Sequence, residues 1–402
     1  MNRVAVTGLG LVCALGNNTN ESWDRISRGD CGIRPLQDPG NPPYKFRTGA
    51  EAQSFQPLDY LTEKDLLILE RFAQMAVVAA HEAVTQSGIE FTSELADRSA
   101  VITGSSVGGQ FSEEEGYLRL YKENVTRVSP LTIPRSMANA GASRISLDFG
   151  IHGPGYTIST ACSSSNHAIG QAFWMVRSGQ MTAAVTGGSE AVFAEGVLRA
   201  WEAMRVVSPD VCRPFSADRR GLSLGEGAGM LVLEDWEHAT ARGATILGEI
   251  AGCGMSSDAH HITQPCVDGP AKCMNWALKD ANLLPEQVGY INAHGTGTPT
   301  NDVTETQAIR TVFGKHTDRL MVSSTKSMHG HTLGAAGAVE AIITILALKN
   351  GVIPPTANFT SPDPACNLDV VPNQPRTVSV DAAISNTFAF GGLNATLVFK
   401  RV

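Results

Sequence analysis

Several things are scarce in this sequence, and each scarcity removes a class of function. Its 402 residues hold eight cysteines, scattered from Cys13 to Cys366 with no CxxC pair. That spacing excludes a disulfide scaffold and reads as reduced thiols in a cytoplasm. Basic residues are outnumbered, 31 Lys and Arg against 39 Asp and Glu, for a net charge of -8. Neither nucleic acid nor an anionic membrane is a suitable partner for such a surface as a whole. The longest largely apolar run, Ala341 to Leu348, is bounded by Glu340 and Lys349 and is too short to span a bilayer. The N-terminal residues enter a strand directly, without an apolar segment and cleavage site. Arg3 to Thr7 alternates as a strand and is expected to turn at Gly8-Leu-Gly10, but Cys13 stands where a dinucleotide fingerprint needs its third glycine. No second cysteine or acidic cluster joins His329 and His331, or Cys162 and His167, in a zinc-like set, so no metal is expected.

What is present centres on Gly155-Tyr-Thr-Ile-Ser-Thr-Ala-Cys162-Ser-Ser-Ser. Tyr156 to Thr160 is β-branched and aromatic, as a buried strand is, whereas Ala168, Ile169, Ala172, Phe173 and Val176 recur at helical spacing. Cys162 therefore falls at a strand-to-helix junction. Unpaired amides and the positive end of the helix dipole would shift a thiol there toward thiolate and offer oxyanion donors. The same residues also admit a buried, inert cysteine.

The order of elements repeats. Helix 72–84, strand 99–103 and Gly104-Ser-Ser are mirrored by helix 271–281, strand 290–293 and Gly295-Thr-Gly297. Pro134 to Gly141 parallels Thr325 to His331, each before a Gly/Ala-rich helix expected in a buried central layer. Two fused halves are expected, 1–245 and 246–402, with no flexible linker at the join. The segment 29–57, rich in Gly, Pro and Asp, reads as a surface loop. In the second half His294 ends a strand inside Asn292-Ala-His-Gly-Thr-Gly, and His331 precedes the helix beginning near Gly334. Two histidines at matched positions, together with a cysteine at an elbow, point to catalysis rather than packing.

Thr160-Ala-Cys162-Ser-Ser-Ser, Asn292-Ala-His294-Gly-Thr-Gly-Thr, Ser324-Thr-Lys326-Ser-Met-His-Gly-His331 and Asn386-Thr-Phe388-Ala-Phe390-Gly-Gly resemble the motifs of β-ketoacyl-acyl-carrier-protein synthases, the type II condensing enzymes in particular. The resemblance spans essentially the whole chain. It implies an α/β protein of the thiolase fold, a five-layered αβαβα sandwich, usually dimeric. It implies that Cys162 carries an acyl chain received from acyl carrier protein and that the amides of Cys162 and Phe390 hold the oxyanion. His294 and His331, as neutral donors, would stabilise the enolate left when malonyl carrier protein loses CO2. Lys326 and Glu340 match a supporting charged pair. Phe388 and Phe390 match a mobile gate, and Val107 matches the side chain against which the gate packs. No cofactor is implied beyond the phosphopantetheine of the carrier protein.

The chain departs from the family pattern at four places. Ala389 replaces a usual gate glycine and is expected to restrict its swing, and Leu393 replaces a threonine. Trp201 stands where a smaller aromatic lines the acyl pocket, which it would shorten or reshape. The carrier-docking segment reads Lys64-Asp-Leu-Leu-Ile-Leu-Glu-Arg71. Its four apolar residues are expected in the core, leaving Arg71, Arg213, Arg219 and Arg220 to supply a basic patch. The alternative is that a specialised carrier protein or second subunit covers Leu66 to Leu69. These departures suggest, as the alternative function, a ketosynthase subunit of a polyketide or specialised-lipid pathway paired with a cysteine-less chain-length partner. A non-catalytic chain-length subunit is disfavoured because Cys162, His294 and His331 are all present.

Overall fold

The computed structural model describes all 402 residues. Its ten main strands are β1 (Val4–Cys13), β2 (Ser99–Gly104), β3 (Gly155–Ile158), β4 (Ala183–Glu190), β5 (Gly227–Asp235), β6 (Gly248–Ser257), β7 (Tyr290–Asn292), β8 (Met321–Ser323), β9 (Ala382–Ala389) and β10 (Leu393–Lys400). They join in the order β8-β7-β9-β10-β6-β1-β5-β4-β2-β3. Counted outward from the centre, the first half runs first, fifth, fourth, second, third strand, and the second half runs identically. Strand directions match as well: in each half the second strand is parallel to the third and fourth, and the last two pairings toward the centre are antiparallel. The halves meet where β1 and β6 pair antiparallel, Val4 with Ile250 through Val6 with Gly248.

Helices fill the layers around this sheet. On the outside, α1 (Arg71–Ser87), followed by α2 (Gln110–Tyr121) and α3 (Ala140–Phe149), belongs to the first half. Between the halves lies α4 (Ser164–Arg177), after which α5 (Glu195–Met204) returns to the surface. The second half adds α6 (Asp268–Asp280), α7 (Pro299–Phe313) and α8 (Ala336–Asn350). Both α4 and α8 touch strands of both halves and each other, forming the middle layer, while α1 with α3 and α6 with α7 cover the two outer faces. The result is five layers, αβαβα. Every residue of α8 from Ala336 to Leu348 is buried, which is why this stretch is apolar all round rather than on one face. It belongs to the one helical stretch long and apolar enough to cross a membrane, Leu333–Asn350, and 89% of that window is inside the fold.

Three expectations are corrected. Gly8-Leu-Gly10 is not a turn but the interior of β1. The glycines are there because α1 lies against the strand: a Cβ on Gly8 would sit 1.9 Å from the Ala83 carbonyl oxygen, and one on Gly10 would sit 1.8 Å from that of Ala79. The segment 29–57 is not merely surface, since it buries Tyr44, Phe46, Ala50, Ala52 and Phe55. Finally, the internal repeat pairs differently. The helix after Pro134–Gly141 is α3, on the outer face against α1, so its counterpart is α7. The middle-layer partner of α8 is α4, and the loop matching Thr325–His331 is therefore the Cys162 loop. Small residues in both loops made the sequence parallel ambiguous.

Candidate active site

The middle layer brings the two loops face to face. Cys162 lies between β3 and α4, after Ala161, whose φ of 52° is left-handed although it is not glycine. Such a residue costs on the order of 1–2 kcal/mol and persists only where its surroundings hold it. Here the Ser164 hydroxyl donates to the Ala161 carbonyl, and the Thr160 amide donates to the Ser164 hydroxyl. Cys162 is 7% exposed, at the base of a cavity of about 230 Å³ that also reaches His294, His331, Phe388 and Trp201.

From the other half, His331 places Nε2 3.1 Å from Cys162 Sγ. Its backbone is fixed across the halves, the amide donating to Ser223 O at 2.7 Å and the carbonyl accepting from Gly225 at 3.0 Å. His294 stands edge-on, with ring centroids 5.4 Å apart and planes at 84°. Neither histidine's Nδ1 has a partner within the protein. Burial first, and the nearby Lys326 charge second, hold both imidazoles well below their ordinary pKa, so both are neutral. Lys326 and Glu340 form a fully buried ion pair behind them, and burial pushes the Glu340 carboxyl up to about 7.

One expectation fails at the nucleophile. Burial pushes the Cys162 thiol up to about 12, outweighing the lowering by the Lys326 charge and by the nearby backbone of Phe390 and Cys162. The helix terminus is present, but desolvation of a thiolate in this pocket is the larger effect. Cys162 at rest is a thiol.

Of the residues expected to form a gate, Phe388 and Phe390 line this pocket and Val107 does not. Phe388 packs edge-on to His294, with centroids 6.1 Å apart. Phe390 stacks on Trp201 at 6.2 Å. Ala389 has φ -101° and ψ 161°, extended backbone open to any residue, and the unusual angles fall on Gly391 (φ 83°) and Gly392 (φ 69°). Any restriction by Ala389 therefore comes from packing: its buried methyl joins an apolar cluster with Cys162 and Leu333, against which Trp201 and Leu393 pack. Val107 lines not this cavity but a neighbouring groove between α2 and α5, and Trp201 borders both.

The docking segment is also corrected. Leu67 and Ile68, at the end of a short helix Glu63–Ile68, are 61% and 40% exposed, and only Leu69 of the four apolar residues is core. Arg71 pairs with Glu226, Arg213 with Asp210, and Arg219 with Asp363 and Asp302. Only Arg220 remains largely exposed, and it too faces Asp210. Each guanidinium lies beside a carboxylate, distant in sequence for Arg71 and Arg219 and near for Arg213 and Arg220, so the expected basic patch does not form.

Two acids were missed. Glu305 of α7 accepts the amides of His294 and Gly295 at 2.9 and 2.7 Å. Glu190, at the end of β4, accepts from the turns carrying Val107 and Gly334. The available signal was a carboxylate closing the otherwise small and apolar strand Ala183 to Glu190.

A duplicated αβαβα sandwich that directs a cysteine and two neutral histidines into one pocket defines a thiolase-fold acyltransferase. Family models agree: residues 1–239 match the beta-ketoacyl synthase N-terminal domain, and residues 247–360 match its C-terminal domain. The chain is 47% identical over 400 residues to nodulation protein E of Rhizobium meliloti, covering 100% of this chain and 99% of the relative. It is 40% identical over 407 residues to 3-oxoacyl-[acyl-carrier-protein] synthase 2 of Synechocystis, covering 99% and 98%. Among solved structures, the ishigamide ketosynthase/chain length factor superposes with a TM-score of 0.93 at 36% identity, over 100% of this chain and 99% of that one. The chain belongs to the beta-ketoacyl synthase family.

Proposed function

We propose that this protein joins a malonyl unit to an acyl chain by decarboxylative Claisen condensation, both substrates arriving on acyl carrier protein. The observation that carries the reading is His331 Nε2 at 3.1 Å from Cys162 Sγ, with the His294 ring edge-on beside it in the same cavity. In the first half-reaction the Cys162 thiol attacks the acyl thioester. The carrier's phosphopantetheine thiol leaves with the proton, and the amides of Cys162 and Phe390 hold the tetrahedral oxyanion. In the second, the malonyl thioester oxygen accepts N–H bonds from His294 and His331, CO2 departs, and the enolate carbon attacks the acyl-cysteine. Collapse releases 3-oxoacyl carrier protein, and the Cys162 thiolate regains a proton. Neutral imidazoles suit this role, because a cationic donor would protonate the enolate instead of sharing a proton with it. The Lys326 charge helps keep the imidazoles uncharged, and Glu340 pairs with Lys326, neither of them reacting. The halves 1–245 and 246–402 divide the work, the first supplying the nucleophile and the second both donors. No metal or other cofactor is needed, and the reaction belongs in the cytoplasm.

For the partner, exposed Leu67 and Ile68 favour an apolar contact over a purely basic one. The ishigamide relative is a ketosynthase with a chain length factor. A dimer with such a subunit, rather than with a second copy, is the reading these features favour, and Trp201 would then set the usable chain length. Incubation with malonyl carrier protein and a panel of acyl carrier proteins, with products read by mass, tests the activity. Absence of any 3-oxoacyl product, with or without added partner, refutes it.

A further inference from the structure

Glu190 is fully buried at the end of β4, and no lysine or arginine pairs with it. Its carboxylate is satisfied entirely by hydrogen-bond donors. Oε1 accepts the Ser105 hydroxyl at 2.9 Å and the Val107 amide at 3.3 Å. Oε2 accepts the Ser106 amide at 2.7 Å, the Ser106 hydroxyl, and the Gly334 amide at 3.0 Å. These donors come from two turns that the chain does not otherwise connect. One follows β2 and carries Val107 to the groove beside Trp201. The other lies between His331 and α8.

The second turn is under tension. Leu333, directly before Gly334 and two residues after His331, has φ 43°, left-handed for a branched residue, and its side chain packs in the cluster that contains Cys162. A residue in that conformation stays there only when both sides are held. Gly334 is held at both ends of its own backbone: its amide donates to Glu190, and its carbonyl accepts the hydroxyl of Ser165, three residues beyond Cys162. No other residue fits there, because a Cβ would lie 2.4 Å from Ser106 N and 2.5 Å from Glu190 Oε2.

We propose that Glu190 is a positioning residue that ties the His331 turn and the Val107 turn to one buried carboxylate, setting the His331–Cys162 approach and the groove wall together. The proposal rests on the condensing role assigned above to Cys162 and His331. It makes a second statement that does not depend on that role: Glu190 bonds the amide of Gly334, whose neighbour Leu333 packs in one cluster with Cys162, so a buried carboxylate without a cationic partner opposes a second negative charge on that sulfur, against Lys326, with neutral His331 and His294 as the other titratable neighbours.

The test is Glu190→Gln, which keeps the shape, removes the charge and turns one acceptor into a donor facing amides. Two rates are measured on folded protein: condensation, and alkylation of Cys162 by iodoacetamide between pH 7 and 10. Losing hydrogen bonds to a charged acceptor corresponds to a fall of roughly 10- to 100-fold in kcat. Alkylation at a given pH should rise, because the thiolate fraction rises. Glu190→Asp keeps the charge on a shorter arm, so condensation should fall while alkylation keeps its wild-type pH dependence. A scaffold role alone would lower both rates together, and that result overturns the proposal, as does condensation within twofold of wild type. If the Gln variant does not fold, Ser106→Ala removes one donor and leaves the carboxylate. A loss of at least threefold in kcat is then expected, and unchanged kcat overturns the idea. If the wild type itself forms no 3-oxoacyl product, the assigned reaction fails, and the alkylation rates still decide whether Glu190 acts on Cys162.

Discussion

Replacing Trp201 by Gly should change which acyl chains the protein accepts. Trp201 is half-buried and separates the cavity of about 230 Å³ holding Cys162 from the groove lined by Val107, Tyr117, Leu118, Val197 and Met204. Removing the indole joins the two spaces. Each methylene moved from water into apolar surroundings is worth about 0.8 kcal/mol, or roughly fourfold in kcat/KM. Four further methylenes could gain about 3 kcal/mol, of which ordering the chain takes back a part, so the preference for long over short primers should rise about 10- to 100-fold. Loss of the stack on Phe390 costs about 0.5–1.5 kcal/mol of stability beyond the lost burial of the half-buried indole, roughly 2 kcal/mol, and glycine inside α5 adds about 1 kcal/mol, a total at or below the stability of an ordinary domain, about 5–15 kcal/mol. The assay is competition between carrier proteins bearing primers that differ by four carbons, with products read by mass. Trp201→Phe, which keeps a wall, should retain most of the wild-type ratio. A folded Trp201→Gly protein whose ratio stays within twofold of wild type would refute the reasoning.

Other outcomes follow from the same geometry. Cys162→Ala should abolish 3-oxoacyl product yet still release CO2 from malonyl carrier protein, whereas His294→Ala should slow CO2 release by about 10²- to 10³-fold, as loss of an oxyanion donor does. Lys326→Met removes a charge that lowers both imidazole pKa values, so those values rise. More imidazolium is then present at acidic pH, and the acid limb of the decarboxylation pH profile should move upward while the rate at pH 8 is less affected; an unmoved limb would exclude Lys326 from this role. Leu67→Asp with Ile68→Asp alters two exposed side chains, so stability should change by less than about 1 kcal/mol. KM for the carrier protein, or affinity for a partner subunit, should weaken by about tenfold if either one covers them.

The order of strands and helices was legible because buried strands, amphipathic helices and glycine caps leave local marks. Helix 72–84 and its Gly88 terminus are an example, with Gly88 in the left-handed cap conformation. Cys162, His294 and His331 could be picked out because each lies at the end of a strand or the start of a helix. Burial was not legible. Leu66 to Leu69 read as core from composition, but which side of a six-residue helix faces out depends on what packs against it. Here α3 lies alongside, through the Arg144–Asp65 pair. Arg71 and Arg219 read as a patch because their carboxylate partners lie up to 155 residues away in sequence, whereas Arg213 and Arg220 share the nearby Asp210, whose orientation only the folded loop sets.

The sequence by itself determined the class of chemistry through four motifs, around Cys162, His294, His331 and Phe388, that together resemble those of condensing enzymes, whereas the elbow cysteine alone also admitted an inert thiol. Only the tertiary structure decided the state of those groups. The helix terminus pulls the Cys162 thiol toward ionisation, but burial pushes it up to about 12, and burial is a property of everything around the residue. The same holds for Glu190, one carboxylate at a strand end in the sequence. It becomes the meeting point of two distant turns once the halves fold against the middle layer.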